Sequence, residues 1–293
     1  MCRSWPPPCR PCSCAAAPTR RAIFSLGGEA SVVATSSIAR AGAWLLMSQA
    51  YDLSNDARLA SALAGQAGQI LLSARSLTSL TGKPLGGLGD AIGQQFLSWS
   101  LQTLRPHDAV LSEEAADDAV RLERSRVWIV DPLDGTREYS EGRSDWAVHV
   151  ALSIDGVATV GAVALPALGL VLDTATPTSL PAAPEGLKIL VSRSRPPEVA
   201  SRAAEILGAE LVGMGSAGAK AMAVVRGEAH AYVHAGGQYE WDSAAPAAVA
   251  GAVGLHVSRL DGSELTFNRR DAYLPDLLIC RPELAQQLLD ALR

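Results

Sequence analysis

The stretch VWIVDPLDGTREYS, residues 127–140, decides the reading of this chain. Its apolar start, 127–130, has the make-up of a buried strand and ends abruptly at Asp131-Pro132. Asp134 follows three residues after Asp131; Pro132 stiffens the turn and Gly135 relaxes it, so two carboxylates and a backbone carbonyl are aimed at one spot. Carboxylates held together raise each other's pKa and repel, so the arrangement calls for a cation, and Mg²⁺ takes oxygen ligands of this kind. An acidic turn that only caps a helix through Asp134 would explain Asp-Gly-Thr but not the strand-end Asp131. A helix starting at Thr136 would present free N–H groups, with that of Gly135, as an anion site beside the cation. Phosphate is the matching anion, and metal ions that bridge its oxygens and lower the pKa of a bound water support phosphomonoester hydrolysis with no covalent intermediate.

Outward from this segment, helical and strand patterns alternate. A stripe of Leu59, Leu63, Ala67, Ile70, Leu71 and Ala74 predicts a helix over 54–76, and 91–104 reads as a second amphipathic helix, entered through the Gly-rich stretch 86–89. Residues 108–111 predict a short strand. From Trp146 the runs WAVHVALSI, GVATVGAVALP and GLVLDTA, separated by Asp155-Gly156 and by 167–169, predict an antiparallel meander. The Pro-rich 177–184 reads as a linker. Beyond it, a strand in LKILVS, helices over 197–207 and 217–225, a strand over 229–234, and helices over 243–253 and 282–292 complete an α/β pattern. The expectation is an α+β subdomain over 47–184 that carries the metal motif and an α/β subdomain over 185–293.

Composition bounds the function classes. Of 293 residues 48% are hydrophobic and 19% charged, without like-sign blocks, which is globular and not disordered. With a net charge of −5 and no Lys/Arg-rich run, the chain has no footprint for a nucleic acid polymer or an anionic membrane. A small anionic ligand would need local help, such as metal ions. No stretch approaches the roughly 20 apolar residues of a transmembrane helix. Residues 1–46 stand apart, with Arg3, Arg10, Arg20, Arg21 and Arg40 against a single acid, Glu29, and with Cys2, Cys9, Cys12 and Cys14. Cys9-x-x-Cys12 lacks a second pair at zinc spacing, and the apolar run 41–47 is short and late for a secretory signal. The expectation is that 1–46 is a disordered tail or upstream read-through, with translation starting at Met47. Cys280 is then alone in the folded part, and a reducing cytoplasm fits.

Three separated pieces, Ser112-Glu113-Glu114, the D-P-L-D-G-T run at 131–136 and Glu240-Trp241-Asp242-Ser243-Ala244-Ala245, together resemble the lithium-sensitive, Mg²⁺-dependent phosphomonoesterases. That family includes inositol monophosphatase, fructose-1,6-bisphosphatase and 3'(2'),5'-bisphosphate nucleotidase, and the resemblance covers residues 52–290. It implies a layered α-β-α-β-α sandwich. It also implies Glu113, Asp131, Asp134 and Asp242 as side-chain ligands of two or three Mg²⁺ ions, with the Leu133 carbonyl as a further ligand. Thr136 resembles the threonine that helps orient the attacking water; its usual partner is an upstream aspartate, for which Asp90 is the candidate, although Gly87-Leu88-Gly89-Asp90 departs from the usual V-T-x-x-D. Glu113, Thr136 and Asp90 are thereby the implied catalytic residues.

The departures bear on the substrate. Inositol monophosphatases usually continue D-G-T with Thr-Asn-Phe, whereas Arg137-Glu138-Tyr139 resembles the bisphosphate nucleotidases. The inositol enzymes place an acid seven residues before the last aspartate, for ring hydroxyls; here that position is Ala235. Val191-Ser192-Arg193-Ser194 resembles a nucleotidase signature whose usual following His is Arg195 here, and Gly215-Ser216 with Lys220 resembles their substrate loop, where backbone N–H groups and a cation would meet a second phosphate. The resemblance thus implies substrate contacts from Gly135, Thr136, Arg137, Ser192, Gly215, Ser216 and Lys220. It implies a sulfate-assimilation type of enzyme that removes the 3'-phosphate of 3'-phosphoadenosine 5'-phosphate to leave AMP. A broad inositol phosphate and fructose 1,6-bisphosphate phosphatase is the alternative within the class, and a non-catalytic phospholigand-binding homologue the alternative outside it. Family members often form homodimers, but no interface stands out in this chain. His149, His234, Trp128, Trp146 and Cys280 read as structural, Tyr239 or Trp241 as candidates to touch a base, and 273–276 as patterned without a chemical role.

Overall fold

The computed structural model describes residues 53–293; the expectations for 1–46 and for a start at Met47 lie outside the described residues. Asn55 opens the first helix, its side chain accepting the N–H groups of Ala57 and Arg58 at 3.0 and 3.1 Å, as a capping Asn does. Helix α1 then runs Asp56–Leu77. Helix α2, Gly82–Leu104, begins well before the expected position 91, so the Gly-rich stretch is helix interior and not an entrance. The reason is close packing. A Cβ would come within 2.7 Å of Thr136 Cγ2 at Gly86, 2.7 Å of Leu133 Cδ2 at Gly89 and 3.0 Å of Pro132 Cβ at Gly93. These positions give up helix propensity and let the α2 backbone lie against the 132–136 segment.

The first sheet is built from β1 Ala109–Ser112, β2 Arg126–Asp134, β3 Ala147–Ile154, β4 Val157–Leu165 and β5 Leu170–Asp173, in that order. Only β1 and β2 are parallel, so the expected meander is present. The period of two sorts its faces. Trp128, Val130, Val148 and Val150 pack with α1 and α2, while Val127, Ile129, Ala147 and Ala151 join a second core on the opposite side. That second core is shared with α5 Ala217–Val225, α6 Glu240–Ala252 and one face of the second sheet.

The second sheet, of β6 Lys188–Ser192, β7 Glu210–Met214, β8 Ala231–Tyr239, β9 His256–Ser258 and β10 Tyr273–Cys280, has the order β7-β6-β8-β10-β9. Its far face packs on α4 Glu198–Leu207 and α7 Ala285–Ala291. The layers run α1/α2, sheet, α5/α6, sheet, α4/α7, which is the α-β-α-β-α sandwich. No helix among the described residues is long and apolar enough to cross a membrane.

The strands β7, β9 and β10 go beyond the sequence reading. β9 is three residues long and β7 lies at a sheet edge. β10 contains Pro275, which sits in a register irregularity between Leu274 and Asp276, where the ladder needs no N–H. Asp276 within it takes Arg259 Nε and Nη2, each at 2.7 Å, and the Leu260 N–H at 2.8 Å, a structural role for the patterned 273–276. β2 also outlasts 130, continuing to Asp134 with a register shift against β3 between Asp131 and Asp134.

Candidate active site

The bulge at the end of β2 interrupts the alternation that would send Asp131 and Asp134 to opposite faces or apart along the strand. Asp131 is 1% exposed and accepts the Leu133 N–H at 3.0 Å. Asp242 comes from the other half of the sequence. It is the third residue of α6, and its carboxylate accepts the Tyr239 N–H at 2.7 Å, closing a capping box over the positive end of the helix. Carboxylate oxygens of Asp131, Asp134 and Asp242 all lie within 4.8 Å of one another.

The cluster is strained electrostatically. Burial first, and then Glu113, Asp134 and Asp242, hold the Asp131 carboxyl well above the usual range. Burial, then the charge of Asp134, raises Asp242 to about 7. Glu113 lies at the edge of this group, and burial, then Asp242 and Asp134, raises it to about 7. Asp134 is the exception: burial works against its charge, but His149, Lys220 and the Ser216 hydroxyl outweigh it and pull the group to about 2. Acids that hold each other protonated, all offering hard oxygen donors, fit a divalent cation of the Mg²⁺ kind.

Asp134 is held by several neighbours. Ser216 Oγ donates to its Oδ2 at 2.5 Å and the Gly218 N–H at 2.7 Å, while the fully buried His149 places Nε2 3.1 Å away. His149 Nδ1 donates to the Trp241 carbonyl at 3.0 Å, and the Asp134 charge keeps the buried imidazole above its ordinary pKa although burial opposes it. A Cβ on Gly218 would overlap the His149 ring, so the glycine of Ser-Ala-Gly makes room for this contact.

Gly135, with φ of 88°, ends the strand and starts α3, Thr136–Ser140, at the expected residue. Thr136 Oγ1 lies 3.1 Å from both Asp90 Oδ1 and the Leu133 carbonyl oxygen, so its hydroxyl can donate to either. Asp90 reaches it from α2, and burial, then Glu114, raises its carboxyl to about 6 against the Thr136 bond.

A cleft opens beside the cluster, lined by Asp134, Gly135, Ser192, Gly215, Ser216, Lys220 and Asp242, and also by Arg193, Arg195 and His234. Ser216 has a φ of 51°, a strained value for a non-glycine residue. Two expectations change here. Arg137 is not among the lining residues; its exposed guanidinium pairs with Glu141 at 2.9 Å. Lys220 lines the cleft, but its ammonium donates to the carbonyls of Ser216, Gly215 and Met214 at 2.5, 3.2 and 3.4 Å, so it closes the loop instead of standing free. Arg193 is held by Glu138 at 2.7 Å and Glu141 at 3.1 Å, whereas Arg195 has no ion-pair partner among the described residues. Sequence reasoning missed the parts of His149, Glu138 and Arg193; the glycines 215 and 218 were the available signal, since a Cβ on Gly215 would overlap Glu138.

Comparison with known proteins gives the family and the fold. The sequence model of the inositol monophosphatase family matches residues 52–293. The chain is similar to the 3'-phosphoadenosine 5'-phosphate phosphatase of Mycobacterium leprae, 51% identical over 253 residues that cover 81% of this chain and 93% of the relative. It is 54% identical over 238 residues to the protein of the same name from Mycobacterium tuberculosis, covering 77% and 89%. Among solved structures, CysQ from Bacteroides thetaiotaomicron superposes with a TM-score of 0.65 at 24% identity, over 77% of this chain and 97% of that one, which shows the fold. A layered sandwich, a carboxylate cluster drawn from two separated motifs and this likeness over the whole described chain lead to one conclusion: the protein belongs to the inositol monophosphatase family.

Proposed function

We propose that this chain is a Mg²⁺-dependent phosphomonoesterase that removes the 3'-phosphate of 3'-phosphoadenosine 5'-phosphate, giving AMP and phosphate, in the cytoplasm and in the setting of sulfate assimilation. The observation that carries the reading is the convergence of Asp131, Asp134 and Asp242 beside a cleft that Asp134 and Asp242 line together with Arg193 and Arg195. Asp131, Asp134, Asp242, Glu113 and the Leu133 carbonyl would hold the metal. Bound Mg²⁺ would supply Lewis-acid stabilisation of phosphate oxygens and a water of lowered pKa.

The remaining chemistry belongs to the chain's own groups. Thr136 Oγ1, between Asp90 and the Leu133 carbonyl, orients the attacking water, and Asp90 fixes the direction of the hydroxyl proton. The N–H groups of the first turn of α3 face the transferred phosphate. The bound nucleotide keeps a second phosphate, and the guanidinium of Arg195, which has no ion-pair partner among the described residues, is suited to its charge together with Ser192 and the 215–216 loop. Ala235 offers no acid for a polyol ring. The names of the mycobacterial relatives support the same substrate. Cys280, a buried free thiol, is in keeping with a reducing compartment.

Asp131→Asn and Asp242→Asn test the site. Each should lower Mg²⁺-dependent release of phosphate from the bisphosphate by more than ~10²-fold, with AMP as the nucleotide product in the parent enzyme and the circular dichroism unchanged. Full activity in either variant contradicts the proposal.

A further inference from the structure

Glu240, the first residue of α6, has no part in the chemistry above, yet it is 1% exposed. Both its carboxylate oxygens are taken by one turn: Oε2 accepts the Asn268 N–H at 2.6 Å and Oε1 the Arg269 N–H at 2.8 Å. Asn268 holds a φ of 57°, a left-handed value that Asn adopts more readily than most residues. Its side chain continues the chain of contacts. Oδ1 accepts from Arg121 Nη1 at 2.8 Å, and Nδ2 donates to the carbonyls of Arg121 and Arg124 at 3.0 and 3.4 Å. Arg121 is also 1% exposed and grips Asp117 through Nε at 2.6 Å and Nη2 at 2.9 Å.

A buried polar line thus runs from Glu240 through Asn268 and Arg121 to Asp117. It joins the first turn of α6, which carries Asp242, to the segment that follows Glu113. Among the described residues, every side-chain hydrogen bond that ties 114–124 to the rest of the chain goes through Asn268.

We propose that Glu240, Asn268 and Arg121 are positioning residues, whose brace fixes the Glu113 segment against the Asp242 helix and so sets how tightly the carboxylate cluster takes a divalent cation. The proposal rests on reading that cluster as the metal site. A segment already ordered in the folded protein does not have to be ordered when the cation binds, and that difference reappears as affinity.

The test uses the full chain with Asn268→Gly, which keeps the positive φ and deletes only the amide, beside Asn268→Asp, which keeps an acceptor for Arg121. Mg²⁺ binding is read by calorimetry on the metal-free protein, together with its melting temperature and, at saturating Mg²⁺, kcat and KM. The brace predicts about tenfold or greater weakening of Mg²⁺ in Asn268→Gly, with kcat and KM at saturation changed by less than about threefold. Asn268→Asp keeps the acceptor for Arg121 but loses the donor to the Arg121 and Arg124 carbonyls, so its affinity should fall between those of Asn268→Gly and the parent. An unchanged Mg²⁺ affinity in Asn268→Gly overturns the brace. So does a loss that Asn268→Asp fails to relieve and that accompanies an equal collapse of the metal-free melting temperature, which marks general destabilisation. Parent protein that takes up no Mg²⁺ overturns the metal-site reading and the brace with it.

Discussion

At the scale of single residues, the arrangement that makes the site also makes it unstable when empty of cations. Glu113 and Asp242 sit near pH 7 in the folded protein, far above ordinary carboxyls, because burial and their neighbours disfavour the charge. The folded protein therefore binds more protons than the unfolded chain between about pH 4 and pH 7. The contribution of these two groups to metal-free stability is fullest below that window and declines as pH rises through it. The expected outcome is a fall in the metal-free melting temperature on the order of 5 °C from pH 5 to pH 8, with Mg²⁺ restoring it and binding more tightly as pH rises. A metal-free melting temperature that does not change over this range contradicts the assignment. Thr136→Val removes the hydroxyl held between Asp90 and Leu133; kcat should fall by ~10²-fold or more with KM little changed, and a parent-like kcat would remove Thr136 from the mechanism. The four acids were legible because each stands in a short motif. His149 was not: a strand pattern shows that it shares a face with Ala147 and Ala151, but not that Gly218 leaves space for it against Asp134.

At the scale of elements, α2 shows what a sequence hides. Gly86 to Gly89 read as a helix breaker, yet Gly86 and Gly89 are contact points of a continuous helix. Two substitutions separate the readings. Gly89→Ala places a methyl within 2.7 Å of Leu133 Cδ2 and 3.0 Å of Tyr139 Cε1, so it should destabilise by ~1–3 kcal/mol and disturb the 131–136 segment, lowering kcat as well. Gly87→Ala meets nothing within 4 Å and should stabilise the helix by ~0.5–1 kcal/mol without affecting turnover. Thermal melts and kcat on the pair decide it; equal effects would mean that the packing argument is wrong. The strand β10 stayed hidden for the converse reason, since Pro275 speaks against a strand until the irregularity beside it is seen. By contrast α5 was read to the residue, because Ser216 caps it through the Ala219 N–H at 2.9 Å and a run of small and apolar residues, broken only by Lys220, follows.

At the scale of the whole molecule, the layered fold brings together acids that are more than a hundred positions apart in sequence, from the end of a strand in one sheet and the start of a helix beneath the other. The chain as a whole is acidic, with a net charge of −5, so its attraction for a doubly phosphorylated ligand has to be local, and the proposal gives the reacting phosphate to the carboxylate cluster with its cation and the retained one to Arg195. The family and its chemistry were legible in three motifs. The balance among substrates was less so, because Arg137 turned out to face Glu141, Lys220 its own loop and Arg193 both Glu138 and Glu141, which leaves Arg195 as the cleft guanidinium without an ion-pair partner among the described residues. The most direct measurement is kcat/KM for Mg²⁺-dependent phosphate release from 3'-phosphoadenosine 5'-phosphate, inositol 1-phosphate and fructose 1,6-bisphosphate side by side, with and without Li⁺. A preference for the nucleotide of about 100-fold or more, roughly 2.7 kcal/mol in the transition state, is expected, with inhibition by Li⁺. Comparable rates on all three would contradict the nucleotide assignment, and no release from any would contradict the enzyme.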